Sequence, residues 1–129
     1  MKLSEVHRIL RAEILVDAGK MDKDVEMAFG ADLMSDILAM CQEQTLLLTG
    51  MTHIQVIRTA EVSDLAAIIF VRGKRPGPEI IALAKEIGIP LLLCKLTMYE
   101  ASGLLFSAGL SGIHRDQEPH RRLKGGGKL

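Results

Sequence analysis

Apolar positions along the chain take two forms, short unbroken runs and helix-spaced faces, and the two alternate most regularly between Leu46 and Leu110. The runs Leu46-Leu47-Leu48, Ile68-Ile69-Phe70-Val71 and Leu91-Leu92-Leu93 begin at 46, 68 and 91, an almost constant repeat. An apolar run with no polar alternation predicts a strand buried on both faces, as in parallel sheets covered by helices. A helical segment is expected after each run. The first extends from Thr52 to about Val62 and buries Val56, Ile54 and Ile57. Pro76-Gly77-Pro78 makes a turn, with Pro78 at the first helical position and Gly88 as the stop. Between them Ile80, Ile81, Leu83, Ala84 and Ile87 form a wide apolar face. The third helix covers Met98 to Ala108, where Gly103 either allows close packing or costs about 1 kcal/mol. Two right-handed crossovers place the three strand ends on one edge of the sheet, the edge at which ligands bind in such folds.

The first half is less regular. Ser4 is positioned to cap a helix over residues 5–11, with Val6, Ile9 and Leu10 on one side. Ile14-Leu15-Val16 reads as a strand closed by Asp17, Ala18 and Gly19, and Val25 to Phe29 as a second strand before Gly30. Asp32 is placed to cap a helix from Leu33 to Ala39, with Leu33, Ile37 and Leu38 turned inward. The expected fold is therefore α/β: a central, mostly parallel sheet of about five strands with helices on its faces. Residues 1–112 form one domain. Residues 113–129, charged and without an apolar face, are expected to be a flexible tail.

Composition narrows the classes of function. Sixteen basic and sixteen acidic residues cancel, so no global field favours nucleic acid or a membrane surface. The longest apolar run, Leu65 to Val71, is too short to span a bilayer, and charged residues interrupt the N-terminus where a secretory signal needs a continuous apolar stretch. Cys41 and Cys94 stand apart from any metal-ligand or redox spacing and read as buried thiols of a cytoplasmic protein. With 3% aromatics the core is aliphatic, and methionines such as Met34, Met40, Met51 and Met98 fill its gaps or a dimer seam.

Candidate chemistry collects at the strand ends: Thr49, Gly50, Thr52 and His53, then Arg72, Gly73 and Lys74, then Lys95, Thr97 and Tyr99. Gly50 lets a backbone approach a ligand, and N–H groups at a helix start suit an anion. Arg72 is built to grip a phosphate or carboxylate in two places, and Lys95 adds a point charge. The competing reading makes these solvated loop charges, with Thr52 and Thr97 capping helices. His53 lacks an orienting carboxylate at a readable spacing, Arg58 and Glu61 pair along one helix, and Asp32 with Asp36 lacks a third metal ligand. Leu123 to Lys128 echoes a phosphate loop, but Leu129 stands where that loop needs Ser or Thr. No catalytic residue, metal or cofactor is predicted.

Several strings are more specific in series than singly. They are Leu48-Thr49-Gly50-Met51-Thr52, Gln55 to Glu61, Ile69 to Pro76, Leu83 to Leu92, and Lys95 to Ala101, preceded by Asp32 to Ala39. Together, over roughly residues 12–110, they resemble the DRTGG domain family. That family is similar to the N-terminal domain of HPr kinase/phosphorylase, and it also occurs between CBS domains of some family II pyrophosphatases and in some phosphotransacetylases. The chain has no Asp-Arg-Thr-Gly-Gly string; Ile57-Arg58-Thr59-Ala60-Glu61 is its nearest echo. The resemblance implies a non-catalytic domain that assembles subunits or carries regulation. Two readings follow. One is a homodimeric sensor of an adenine nucleotide or another phosphate-bearing metabolite; the other is a scaffold for a separate protein, with no small-molecule ligand.

Overall fold

The computed structural model describes residues 1–113. The chain runs α1 (Leu3–Leu10), β1 (Glu13–Val16), β2 (Met27–Gly30), α2 (Met34–Met40), β3 (Thr45–Thr49), α3 (Ile54–Ser63), β4 (Ala67–Phe70), α4 (Pro78–Ile87), β5 (Leu91–Leu93), α5 (Met98–Ser107) and β6 (Ser111–Gly112). The strands form one sheet in the order β1-β5-β4-β3-β2-β6, parallel except for the antiparallel pair β1–β5.

Each apolar run divides its side chains between the two faces, as strand geometry requires. Leu46, Leu48, Ala67, Ile69 and Leu92 face a core closed by α1 and α5. Leu47, Ile68, Phe70, Leu91 and Leu93 face a second core closed by α2, α3 and α4. From β2 to β5 the chain steps across the sheet one strand at a time, with α2, α3 and α4 on one face. After β5 it changes face. Helix α5 crosses the opposite side and delivers β6 to the far edge, beside β2.

The repeat of strands and helices from 45 to 107 agrees with the sequence to within one or two residues, including Pro78 opening α4 and Gly88 closing it at φ 87°. The first half departs in instructive ways. Helix α1 begins at Leu3, not after Ser4, because Leu3 N–H donates to the Lys23 carbonyl and Ser4 N–H to the Met21 carbonyl, each at 2.9 Å. Those carbonyls supply the partners a capping side chain otherwise gives. Val25 is buried, but its N–H goes to the Met1 carbonyl at 2.7 Å, so β2 starts only at Met27. Asp32 does not cap α2; Leu33 occupies that position in extended backbone. Leu33 and Leu38, expected inside, are 60% and 56% exposed, and this two-turn helix is held by buried Ile37 with Met34 packed beside it. A sixth strand, β6, has two residues and no apolar run to announce it. Of the expected tail, residues 114–129 lie outside the described residues.

Candidate functional site at the strand ends

The parallel strands β2 to β5 all end on one edge, and the change of face after β5 singles out one place along it. Helix α4 leaves β4 toward one face and α5 leaves β5 toward the other, so the loops after these neighbours part. A crevice opens at such a switch point. Its floor is sealed by backbone bonds that prolong the ladder: Cys94 N–H to the Phe70 carbonyl (2.9 Å), Gly73 N–H to the Cys94 carbonyl (2.9 Å) and Arg72 N–H to the Leu96 carbonyl (2.8 Å). Reaching those partners bends the chain at Arg72 and Gly73 into left-handed conformations, φ 58° and 66°. The bend costs little for glycine but about 1–2 kcal/mol for arginine.

Above that floor, on the α1/α5 side, lies a pocket of about 730 Å³. Its apolar surface on that side comes from Ile9, Leu10, Leu96 and Leu104. Arg11, Arg75, Lys95 and Glu13 supply charge, and Gly73 forms part of the wall. Arg75 is already engaged, its Nη2 2.6 Å from a Glu13 carboxylate oxygen. Among the described residues, Arg11 and Lys95 have no carboxylate within 4.0 Å. The pocket thus combines two uncommitted cations and one ion pair with an aliphatic surface.

One strand along, at the end of β3, the polar groups are spent internally. The Asp32 carboxylate accepts the Gly50 N–H at 2.7 Å and the Thr49 hydroxyl at 3.1 Å. The same hydroxyl accepts the Met51 N–H at 3.1 Å. Asp32 therefore ties the β2–α2 loop to the β3–α3 turn, which explains why it is lost to α2 as a cap. The Arg72 guanidinium passes over this turn, with Nη2 2.8 Å from where a Cβ on residue 50 would sit. Glycine at 50 makes that approach possible.

The strand-end residues singled out by sequence thus separate into groups. Gly73 and Lys95 line the switch-point pocket, while Thr49 and Gly50 bond to Asp32 and Arg72 lies over Gly50. His53 caps α3, its Nδ1 accepting the Gln55 N–H at 3.1 Å, and Thr97 caps α5 in a reciprocal pair with Glu100. Thr52, half-buried, precedes His53 at the start of α3. Arg58 and Glu61 pair at 4.0 Å along α3. Sequence reasoning missed Arg11, Glu13 and Arg75. Glu13 and Arg75 meet across 62 residues, and only the β1–β5 pairing brings them together. Both cysteines are buried, and burial pushes the Cys41 thiol up to about 11, so it stays protonated at neutral pH. Among the described residues no group of three or more His, Cys, Asp or Glu is placed to hold a metal ion, and no helix is long and apolar enough to cross a membrane.

A second groove, of about 740 Å³, runs between α5 and the β2–β6 edge with Leu48 and Leu110 among its lining residues. Tyr99 and Phe106 stand on its rim, 89% and 72% exposed. Of the two readings of Gly103, close packing is not the one found: nothing lies within 4 Å of its missing Cβ, and the residue opens onto this groove.

These features define a three-layer α/β domain with a charged pocket at its switch point. The family model of the DRTGG domain matches residues 5–108, and the chain belongs to that family. Among solved structures the fold is similar to the CBS and DRTGG domains of the regulatory region of Clostridium perfringens pyrophosphatase, a structure complexed with the activator diadenosine tetraphosphate. The TM-score is 0.70 at 19% identity, and the match covers 81% of this chain but 45% of that one. No curated protein matches the chain.

Proposed function

We propose that this DRTGG domain is a non-catalytic regulatory module that senses a phosphate-bearing metabolite at the β4–β5 switch point. One observation carries the reading: Arg11 and Lys95, without carboxylate partners among the described residues, share a pocket with a third cation and an aliphatic surface. Cations around a concave, partly apolar surface are what an anionic small molecule needs. Nucleotides come first in a screen because the similar pyrophosphatase region was solved with diadenosine tetraphosphate. The direct test is a thermal-shift screen of nucleotides and phosphorylated metabolites at fixed protein concentration. A ligand at 100 times its Kd adds about 2.7 kcal/mol, a shift of several degrees in a domain of this size. Lys95→Ala abolishes that shift; a ligand that stabilises the variant equally well contradicts the assignment.

The second reading, an assembly or scaffold role, is favoured by the groove along α5. Tyr99 and Phe106 present aromatic surface, and Glu100, among the described residues the one charged residue lining the groove, is held in its capping pair with Thr97. A face so poor in charge suits a homodimer, whose copies would meet without like-charge contacts. Sedimentation of wild type and Phe106→Asp decides it: a dimer that the substitution dissolves supports pairing through α5, and two identical monomers remove it.

A further inference from the structure

Resting on the reading that the switch-point pocket takes an anion, we infer that its ligand is a free amphiphilic anion: a phosphate or carboxylate head on an aliphatic body, rather than a nucleotide. The lining decides between them. Beneath the cations lie Ile9, Leu10, Leu96 and Leu104, and among the described residues no aromatic ring lines the pocket for a base to stack on. Among the described residues no Ser, Thr, Asn or Gln lines the pocket to read a base edge. Two of the nearby peptide groups are committed as well, since Gly73 N–H bonds to the Cys94 carbonyl and the Leu96 carbonyl accepts from Arg72. A purine set against this surface leaves its ring nitrogens and exocyclic groups without partners, which is costly. An alkyl or acyl chain has nothing to satisfy and gains from every methylene removed from water.

The cations are placed for a head group and not for the chain. Arg11 ends α1 and Lys95 follows β5, so they approach from different elements. Both are exposed, whereas Leu10, next to Arg11 in sequence, is buried. Head and body are thereby separated between a wet rim and a dry interior. The exposed Glu13–Arg75 pair adds a third cation that exchanges its carboxylate for the ligand's head at little cost, because surface pairs are weakly held.

The test is calorimetric titration of the whole chain with inorganic phosphate, butyl phosphate, octyl phosphate and AMP, each below its micelle concentration. Octyl phosphate is expected to bind most tightly, with each added methylene strengthening binding about fourfold. Lys95→Ala is expected to weaken it by about tenfold or more. Leu104→Gln is expected to remove the dependence on chain length while leaving the weak affinity for butyl phosphate. Leu104 is partly exposed, and a thermal scan of each variant confirms that it folds. AMP binding through Lys95 with no gain from chain length overturns the amphiphile and leaves the anion pocket standing. Failure of all four probes overturns both. Sedimentation with vesicles of phosphatidylcholine and phosphatidic acid, without binding of octyl phosphate, makes the head group a bilayer lipid and overturns a free ligand.

Discussion

The ends of β3 and β5 lie on the same sheet edge, are built from similar residues, and differ in what their polar groups do. At β3 the Gly50 N–H and Thr49 hydroxyl both point at Asp32, so the turn carries its own anion. At β5, Lys95 stands beside Arg11 with no carboxylate partner among the described residues. The difference arises from the neighbouring loop. The β2–α2 loop brings Asp32 to β3, whereas the β4–α4 loop brings backbone to β5 and seals the crevice floor without neutralising its cations. A strand end can thus look anion-binding in sequence and be filled by the chain itself. What distinguishes the two is which group crosses from the adjacent loop.

The sharpest way to break this comparison is to remove the internal anion. Asp32→Ala leaves two polar groups without their acceptor and is expected to lower stability by about 1–3 kcal/mol in urea unfolding, with Asp32→Asn less costly because its oxygen still accepts. Thr97→Ala, which removes the α5 cap next to the pocket, is expected to cost about 1 kcal/mol in the same assay. Arg72→Gly goes the other way. Relief of its left-handed backbone at φ 58° is expected to raise stability by about 0.5–1 kcal/mol, measurable as a higher melting midpoint. Lys95→Ala is expected to change stability by less than about 0.5 kcal/mol, since nothing in the described fold depends on its charge. A large loss there would place Lys95 with the Asp32 group, as structure rather than site.

Much of the repeat was readable because its signals are local. Three unbroken apolar runs, Pro78 and Gly88 each act within a few residues, and they located the strands and α4 closely. Gly73 and Lys95 could be placed at strand ends for the same reason. The pocket's other half was hidden because Ile9, Leu10, Arg11 and Glu13 reach it only through the pairing of β1 with β5. No local pattern encodes that pairing. Asp32 misled for a related reason: a carboxylate that caps its own helix and one that bonds to a turn 18 residues away have the same appearance in sequence. Helix α1 started early because carbonyls of the Met21–Lys23 turn replaced a side-chain cap, which is again a contact made at a distance.

The most direct measurement is amide chemical-shift mapping of the ¹⁵N-labelled chain during titration with octyl phosphate and, separately, AMP. Shifts concentrated at Arg11, Gly73, Lys95 and Leu104, with Gly50 and Met51 unmoved, are the predicted result. Shifts centred on Gly50, Thr52 and His53 would contradict it, because the β3 end would then be binding the anion that Asp32 is here held to replace.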